Sequence, residues 1–285
     1  MNNILVTGAN GQLGSEIQNL AKDYKTSHFF FTDVSDLDIT NIEKVRDFCT
    51  THQIKTIINC AAYTAVDKAE EQTELCNAVN HIATVNLSTV AKELNIKLIH
   101  TSTDYVFNGK NHVPFKENDL TDPINVYGKT KLLGEEAMIN INPKHSIIIR
   151  TSWVYSTYGN NFVKTMLKLS ETREQLTIIA DQVGSPTYAY DLAKTILEII
   201  PKINNDQVEV YHYSNEGVCS WYDFAYEIFH QTNTNCKVLP IETKDYPTAA
   251  ERPQYSVMNK SKIKNTFDIE IPHWKTSLAN CLKKL

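Results

Sequence analysis

Short apolar runs alternate with amphipathic stretches over the first half of the chain. The runs are rich in Ile, Val and Phe and span residues 4–7, 28–32, 56–60, 98–101 and 147–150. Between them, apolar residues recur at helical spacing over residues 12–22, 42–51, 78–94 and 127–139. Runs this short predict strands that are buried on both faces. The alternation predicts an α/β fold, with a doubly wound parallel sheet of the Rossmann type and right-handed crossovers.

The pattern changes after residue 150. Helices are predicted over 162–172, 190–200 and 221–231, and polar links that contain proline separate them. Residues 241–285 are expected to be mostly irregular. We therefore expect a first domain over 1–150 and a smaller C-terminal domain over 151–285. Residues near 175–200 are expected to return to the first domain.

Composition and charge narrow the class of protein. The chain has 285 residues, 42% of them hydrophobic, with 9 Gly and 9 Pro, which is typical of a globular protein and not of a disordered or collagen-like one. A formal net charge of −5 provides no general attraction to nucleic acid or to an anionic membrane surface. No apolar run approaches the ~18–20 residues that a membrane-spanning helix needs.

The cysteines and the first residues bear on the cellular compartment. The six cysteines lie far apart, and none forms a C-x-x-C pair suited to zinc binding or thiol redox chemistry. The opening MNNILVTGANG has no charged segment before its apolar run, unlike a secretion signal. We therefore expect a cytoplasmic protein with reduced thiols and with no nucleic-acid or membrane partner.

A glycine-rich turn follows the first predicted strand and leads into the first predicted helix. Gly8 permits a tight turn, Gly11 allows the backbone to approach a pyrophosphate, and Gly14 allows the helix to pack closely on the strand. Three glycines at this spacing could also form an ordinary turn. Their place between a strand and a helix favours dinucleotide binding by the first domain.

An acidic residue follows the second predicted strand. Asp33 lies about 20 residues beyond the last glycine, where a carboxylate can accept hydrogen bonds from the adenosine ribose. It would repel a 2′-phosphate, and no Arg or Lys lies between Asp33 and Lys44 to offset this. We expect NADH to be accepted, and the use of NADPH stays open, as does a simple solvated acid at a strand end. Asp38 and Ile39 are placed to contact the adenine.

Candidate catalytic residues follow the fourth strand and begin the fourth helix. Tyr127 and Lys131 are one turn apart on one helix face, and the strand near residue 101 continues into Thr103. A free tyrosine has a pKa near 10, and a nearby ammonium and an oxidised nicotinamide would lower that pKa. Tyr127 could then donate a proton to a carbonyl oxygen that Thr103 orients. A surface helix that happens to carry a Tyr and a Lys is the simpler alternative.

Several further segments resemble one known family. They are similar to sequences of the dTDP-4-dehydrorhamnose reductase family, within the extended short-chain dehydrogenase/reductase superfamily. The resemblance covers nearly the whole chain. It is carried by NCAAYTAVDKAE at 59–70, STDYVFNG at 102–109, NVYGKTK at 125–131, RTSWVY at 150–155, GNNF at 159–162, DQVGSPT at 181–187 and RP at 252–253.

The resemblance implies an activity and a set of site residues. The activity is reduction of the 4-keto group of dTDP-4-dehydro-L-rhamnose to dTDP-L-rhamnose with NADPH or NADH, a step in polysaccharide precursor synthesis. It implies Tyr127 as the proton donor, Lys131 as its electrostatic partner and ribose ligand, and Thr103 as the assisting hydroxyl. Besides Tyr127 and Lys131, the implied cofactor positions are Gly8, Gly11, Gln12, Leu13, Gly14, Asp33, Asp38, Ile39, Ala62, Tyr63 and Thr64. The implied sugar-nucleotide positions are Thr103, Asp104 and Trp153; without the resemblance, Trp153 would be interpreted as a core residue.

The resemblance also raises the question of a metal. Some family members dimerise through magnesium held by acidic residues, one of which corresponds to Glu16. Tyr190 stands where we would expect a second acid, followed by Asp191. We therefore expect no resident metal, although Glu16 and Asp191 could offer oxygen ligands to Mg²⁺. The simpler interpretation of Glu16 is a solvated residue in the first turn of a helix, and a homodimer stays open.

Three other functions remain as alternatives. One is reduction of a different nucleotide 4-keto-6-deoxyhexose. Another is 4,6-dehydration or epimerisation, although Tyr105 stands where related dehydratases carry the glutamate that acts as a base. A cofactor-binding regulatory subunit is the third, and the complete set of Thr103, Tyr127 and Lys131 argues against it.

Overall fold

The computed structural model describes residues 2–285. It contains twelve β-strands. They are β1 (Asn2–Thr7), β2 (Ser27–Thr32), β3 (Thr56–Asn59), β4 (Lys97–Thr103), β5 (Ile147–Thr151), β6 (Val154–Tyr155), β7 (Gln175–Ile179), β8 (Val183–Gly184), β9 (Thr187–Tyr188), β10 (Glu209–His212), β11 (Cys219–Ser220) and β12 (Lys237–Ile241).

Eleven α-helices connect these strands. They are α1 (Gln12–Ala21), α2 (Ile42–Thr51), α3 (Val66–Ala69), α4 (Thr73–Asn77), α5 (Ala83–Glu93), α6 (Val126–Ile141), α7 (Phe162–Ser170), α8 (Ala189–Ile199), α9 (Trp221–Thr232), α10 (Ser261–Phe267) and α11 (Trp274–Leu282). A π-helical turn over Ala78–Ile82 joins α4 to α5. Short 3₁₀ turns occupy Asp104–Val106, Ile200–Lys202 and Thr243–Asp245.

The strands and helices predicted for the first half are confirmed, with small changes at their ends. β4 continues two residues beyond the predicted run, as far as Thr103. The predicted helix over 78–94 is the later part of a longer segment formed by α4, the π-helical turn and α5. The expectation of a mostly irregular end was wrong for α10 and α11, which are short helices of seven and nine residues.

Six parallel strands form the main sheet in the order β10-β5-β4-β3-β1-β2. The chain moves outward from β1 to β2 and then crosses back to β3 on the other side of β1. In open sheets of this kind, ligands bind beyond the carboxyl ends of the strands at such a switch point. The topology therefore directs attention to the loops that follow β1 and β3. The predicted Rossmann-type sheet is confirmed.

Apolar side chains cover both faces of this sheet. One face packs against α1, α8 and α10, through residues that include Ile17, Ile196 and Phe267. The other packs against α2, α5 and α6, through residues that include Val90 and Met138. Burial on both faces explains why the sheet strands show as continuous apolar runs in the sequence.

Elements after residue 150 contribute to two layers. β10 is the edge strand of the main sheet next to β5, and α8 packs beside α1. A separate apolar cluster joins α7, α9, α11 and β7. The assignment of residues 1–150 and 151–285 to two domains stays a prediction. Within residues 2–285, no helix has the length and apolar character needed to cross a membrane.

The contact between α6 and the π-helical turn leaves no room for a side chain at one position. A Cβ atom placed on Gly134 would lie 2.5 Å from the carbonyl oxygen of Asn80. Both groups belong to backbone within packed elements, so neither can rotate away. Gly134 therefore sets how closely α6 approaches the segment that follows β3.

Gly134→Ala should therefore destabilise the protein, although alanine normally favours a helix over glycine. We expect the free energy of unfolding to fall by about 1–3 kcal/mol, as for other overpacked sites. Urea unfolding followed by circular dichroism measures this. Glu136→Ala, on the exposed side of the same helix, should stay within about 0.5 kcal/mol of the original chain. A Gly134→Ala protein of unchanged or higher stability would contradict the tight contact.

Candidate active site

The glycine-rich turn lies at the carboxyl end of β1, beside the loop that follows β3. Gly8 has a φ of +64°, and a Cβ atom there would lie 2.6 Å from the backbone of Ala61. Gly14 packs against the carbonyl oxygen of Gly8, where a Cβ atom would lie 2.5 Å away. At Gly8 the backbone is left-handed and there is no room for a side chain, and only glycine tolerates both conditions. The turn therefore brings β1, α1 and the loop after β3 together.

The N-terminus of α1 has free backbone N–H groups. Gly11 is its N-cap and supplies no side-chain hydrogen bond, and the first turn contains no acidic residue. Orphan N–H groups and the helix dipole make such an end suited to an anion. Leu13 contributes its side chain to the core, so its contact with a pyrophosphate would come from the backbone. Gln12 points elsewhere: its Oε1 accepts a hydrogen bond from Nδ2 of Asn161 at 3.0 Å.

A cleft of about 240 Å³ opens beside this turn. Its walls include six of the predicted cofactor residues, Gly8, Gly11, Asp33, Asp38, Ile39 and Ala62. One carboxylate oxygen of Asp33 accepts a hydrogen bond from the backbone N–H of Asn10 at 3.2 Å, and the other accepts from that of Val34 at 2.8 Å. Asp33 is thus held at the cleft between the glycine turn and the end of β2.

The far wall of this cleft is held by side-chain hydrogen bonds. A carboxylate oxygen of Asp38 accepts from the backbone N–H and the hydroxyl of Thr40, and these bonds lower the pKa of Asp38. Nδ2 of Asn86 donates to the carbonyl oxygen of Ile39 at 3.1 Å. The loop that carries Asp38 and Ile39 therefore has a defined position.

The loop after β3 is held by the π-helical turn. Asn80, on that turn, accepts a hydrogen bond from the backbone N–H of Tyr63 at 2.9 Å and donates one to its carbonyl oxygen at 3.2 Å. Ala62 lines the cleft, whereas Tyr63 and Thr64 lie farther along the loop and do not line it. Thr64 is exposed. π-helical turns frequently occur at functional sites.

The predicted catalytic residues meet where β4 ends and α6 begins. Tyr127 and Lys131 are one turn apart on α6, as predicted, and Thr103 is the last residue of β4. The Thr103 hydroxyl donates to Oδ1 of Asp104 at 3.1 Å and lies beside the Tyr127 phenol. The ring of Tyr105 packs edge-on against that of Tyr127, with 5.5 Å between ring centroids.

Burial decides the protonation of the Tyr127 phenol. It raises the pKa of Tyr127 above its ordinary value of 10, and the nearby Thr103 hydroxyl opposes this shift without cancelling it. The sequence predicts instead that Lys131 and an oxidised nicotinamide lower this pKa. In the structure Lys131 has other neighbours, and the phenol stays protonated at neutral pH. A protonated phenol is the form that can donate a proton.

The Lys131 side chain is 1% exposed. Its Nζ donates to the carbonyl oxygen of Thr101 at 2.7 Å and lies 3.3 Å from Nε2 of His100. Burial lowers the pKa of Lys131 to about 8, while the carboxylate of Glu135 opposes that shift. Lys131 can therefore gain and lose a proton near neutral pH.

Asp104 is also buried, with 2% of its surface exposed. Burial raises its pKa to about 7, and the nearby Ser256 hydroxyl and the hydrogen bond from Thr103 oppose the rise. Its Oδ2 has no hydrogen-bond partner within the described chain. An unpaired buried carboxyl oxygen next to Thr103 and Tyr127 is well suited to contact a polyhydroxylated ligand.

A larger cleft of about 670 Å³ lies between α7, β7 and the segment over residues 246–252. It is lined by Trp221 and Arg252, among others. Arg252 forms a bidentate pair with Asp67, with N–O distances of 3.0 and 2.6 Å. Trp153 has a φ of +48° and stacks on Trp221 with 3.7 Å between ring centroids. Trp153 is half-buried and packs against the apolar cluster of α7, α9, α11 and β7. Its assignment to a sugar nucleotide stays a prediction.

Glu16 is buried and does not point into solvent. It is 1% exposed and accepts a hydrogen bond from the Ser156 hydroxyl at 2.6 Å, so its interpretation as a solvated helix residue is wrong. Burial raises the pKa of Glu16, which disfavours the charged form that a magnesium ion needs. Asp191 accepts hydrogen bonds from Asn215 and Ser277. Among residues 2–285, no group of three or more His, Cys, Asp or Glu side chains is arranged to hold a metal.

Sequence reasoning missed several residues of the site. Asn59 and His100 lie within apolar strand runs and look like core positions, and Trp221 looks like the start of an amphipathic helix. Asn80 gave no signal either, because its hydrogen bonds with Tyr63 depend on the π-helical turn. Two polar residues inside fully buried strands, Asn59 and His100, are the one signal that could have marked this edge of the sheet.

All six cysteines are free thiols. Cys60 directly follows β3 near Lys131, and burial raises the pKa of its thiol to about 12. A thiol with a raised pKa is a poor nucleophile at neutral pH. The site therefore depends on hydroxyl, amine and carboxyl groups.

Comparisons with known proteins agree with this geometry. The sequence model of the family described as "RmlD substrate binding domain" matches residues 1–285. A dTDP-4-dehydrorhamnose reductase of Aggregatibacter actinomycetemcomitans is 41% identical over 98% of this chain and 98% of its own length. The crystal structure of a dTDP-4-dehydrorhamnose reductase from Clostridium acetobutylicum is 44% identical, with a TM-score of 0.94 over 99% of each chain.

A second solved structure contains a cofactor. The dTDP-4-dehydrorhamnose reductase of Bacillus anthracis, in complex with NADP, is 38% identical and has a TM-score of 0.95 over 100% of each chain. Agreement in sequence and structure over the full length leaves no segment of this chain unmatched. The chain belongs to the dTDP-4-dehydrorhamnose reductase family, in the group with the RmlD substrate-binding domain.

Proposed function

We propose that this protein reduces the 4-keto group of dTDP-4-dehydro-L-rhamnose to give dTDP-L-rhamnose, with NADPH or NADH as the reductant. The observation that carries the proposal is the meeting of Thr103, Tyr127 and Lys131 at the carboxyl edge of the sheet, in a member of this family. The product is an activated sugar of the kind used to build cell-surface polysaccharides.

The residues around the cleft beside β1 fit a nicotinamide dinucleotide. The free N-terminus of α1 suits the pyrophosphate, and Asp33 can accept hydrogen bonds from the adenosine ribose. Asp38 and Ile39 line the same cleft, where the adenine would lie. Ala62 and the backbone of the Tyr63–Thr64 loop continue this surface toward Lys131. When bound, the reduced cofactor supplies the hydride.

Tyr127 is the proton donor in this proposal. Ketone reduction adds a hydride to the carbon and a proton to the oxygen, so the donor must be protonated before the reaction. The raised pKa of Tyr127 keeps its phenol in that form. The hydroxyl of Thr103, which lies beside the phenol, orients the same carbonyl oxygen.

Lys131 has two roles in this proposal. Its amine, buried one turn farther along α6, is assigned to the nicotinamide ribose and to the phenolate that forms when Tyr127 loses its proton. A positive charge at Lys131 favours that phenolate and so facilitates the proton transfer. A pKa of about 8 means that the amine carries this charge below pH 8 and loses it above.

The larger cleft is the proposed site of the sugar nucleotide. Arg252 supplies a positive charge for a pyrophosphate, and the stacked Trp153 and Trp221 provide an aromatic wall for a sugar or a base. Arg252 is held in the wall of this cleft by its pair with Asp67. In this proposal the sugar extends from the cleft to Tyr127, beside Asp104 and Thr103.

Dehydration and epimerisation are not favoured by this arrangement. Burial raises the pKa of Tyr105, which stands where a dehydratase carries a glutamate, so its phenol is a poor base. Reduction of a different nucleotide 4-keto-6-deoxyhexose uses the same residues and differs only in the stereochemistry of the sugar. A cytoplasmic location follows from the substrate and cofactor class, and the six free cysteines are consistent with it.

The substrate can be tested directly by following NADPH and NADH oxidation at 340 nm. The substrate mixture is made from dTDP-glucose with a 4,6-dehydratase, with and without a 3,5-epimerase. We expect oxidation that requires the epimerase and yields dTDP-L-rhamnose. Oxidation without the epimerase would indicate a reductase of the D-series sugar. Cofactor binding without oxidation in either mixture would overturn the proposal.

Tyr127→Phe should lower kcat by about 10²–10⁴-fold, which is the usual contribution of a general acid. The phenylalanine ring preserves packing, so the dissociation constant for NADPH should change little. Steady-state kinetics and fluorescence titration measure the two effects. Tyr105→Phe removes the neighbouring phenol and should keep most of the activity. If Tyr127→Phe retains activity within a few-fold, another group is the acid.

Asp33→Ala should shift cofactor preference toward NADPH. Its removal abolishes a repulsion of about 1 kcal/mol with the 2′-phosphate, so the ratio of kcat/KM for NADPH to that for NADH should rise about fivefold. Asp47→Ala removes the same charge from an exposed position on α2 and should leave the ratio unchanged. An unchanged ratio in Asp33→Ala would mean that Asp33 does not face the ribose.

A further inference from the structure

Lys131 contacts a buried histidine that the proposed reaction does not use. His100 lies in β4 and is 1% exposed. Its Nε2 is 3.3 Å from Nζ of Lys131, and its Nδ1 is 2.9 Å from Nδ2 of Asn59. His100 therefore bridges the asparagine at the end of β3 and the amine on α6.

The orientation of the Asn59 amide follows from a backbone group. The N–H of Ala61 can only donate, and it donates to Oδ1 of Asn59 at 3.1 Å. The Thr7 hydroxyl donates to the same oxygen at 2.7 Å. Nδ2 of Asn59 must then face His100, where it donates to Nδ1. With Nδ1 as an acceptor, a neutral imidazole carries its proton on Nε2.

His100 is neutral at physiological pH. Burial, and the nearby charge of Lys131, hold its pKa well below the ordinary value of 6.5. The Nε2–H bond therefore points at the Lys131 amine. A neutral amine can accept that hydrogen bond, whereas an ammonium has no lone pair with which to accept it.

We propose that His100 is a positioning residue for Lys131: its Nε2–H opposes a full charge on the amine and directs the amine's remaining protons away from the imidazole. One of those protons is held by the Thr101 carbonyl oxygen. Any other proton of the amine can be donated to the ribose or to the Tyr127 phenol. This inference rests on the proposed function, which assigns Lys131 to those two groups.

Other groups near Lys131 act in the opposite direction. The carboxylate of Glu135 on α6 favours the ammonium. The thiols of Cys76 on α4 and Cys60 after β3 also face Lys131, but burial raises the pKa of both, so they are uncharged at neutral pH. Glu135 is already paired with Arg150 at 2.6 Å, which weakens its effect. His100 is the group in contact with Nζ whose hydrogen bond favours the neutral amine.

The direction of the pH dependence of cofactor binding follows from the charge of Lys131. The ammonium is present below about pH 8 and is lost as the pH rises through that value. In His100→Gln, the side-chain amide can rotate to present its carbonyl oxygen to Nζ, which favours the ammonium. The loss of charge should then occur at a higher pH.

The first test measures NADPH binding by fluorescence titration between pH 7 and about 9.5, without substrate. Binding to the original chain should weaken as the pH rises above about 8. In His100→Gln the weakening of NADPH binding should begin about half a pH unit higher or more. Lys131→Met should abolish the pH-dependent loss of binding. His212→Gln replaces another buried histidine, which lies on β10 and contacts Arg150. It should keep the pH profile of the original chain.

Each result has a definite meaning. An unmoved onset in His100→Gln, or a persistent one in Lys131→Met, would overturn the role of His100 while leaving the proposed function intact. Failure of the original chain to bind either NADPH or NADH would instead overturn the proposed function.

The second test uses the original chain. A His100 variant is needed only to assign the NMR signal of that residue. ¹⁵N NMR of histidine-labelled, cofactor-free protein distinguishes the two neutral tautomers. We expect His100 to be neutral with its proton on Nε2 from pH 6 to 9. An Nδ1–H tautomer, or a His100 that gains a proton in this range, would overturn the proposal.

Discussion

The hydrogen bonds of one buried amide, that of Asn59, connect the parts of this site. Asn59 ends β3 at the switch point of the sheet, where its oxygen accepts from Thr7 on β1 and from Ala61 in the following loop. Its nitrogen donates to His100 on β4, which in turn contacts Lys131 on α6. A buried amide is stable only when its donors and acceptors are satisfied. The end of β1, which leads into the glycine-rich turn, and α6 are therefore connected by one continuous set of hydrogen bonds.

Burial sets the protonation of the reacting groups before any ligand binds. It raises the pKa of Tyr127, raises that of Asp104 to about 7, and lowers that of Lys131 to about 8. Each shift favours the neutral form, because charge is costly where water is excluded. A neutral, protonated phenol is what the reduction of a ketone requires. The amine and the carboxyl then lie close to their points of titration, so a bound ligand can change their charge with little additional energy.

The second half of the chain contributes most of the walls of the larger cleft. Trp153 follows β5 and stacks on Trp221, which begins α9 about seventy residues later. Arg252 reaches back across the structure to pair with Asp67 on α3. These contacts join segments that are remote in sequence, and they place aromatic rings and a cation around one cleft. In the proposed function, the chemistry and the recognition of the substrate come from different halves of the chain.

The sequence by itself determined the sheet, its order of strands and helices, the glycine turn, Asp33 and the pair Tyr127 and Lys131. Each of these depends on local spacing, either the period of apolar residues or the separation of residues along one helix. Only the tertiary structure decided that Glu16 is buried, that Trp153 stacks on Trp221, and that His100 faces Lys131. Burial and hydrogen bonding between distant strands leave no periodic mark on the sequence. The pKa values of the site follow from that burial and so belong to the folded chain.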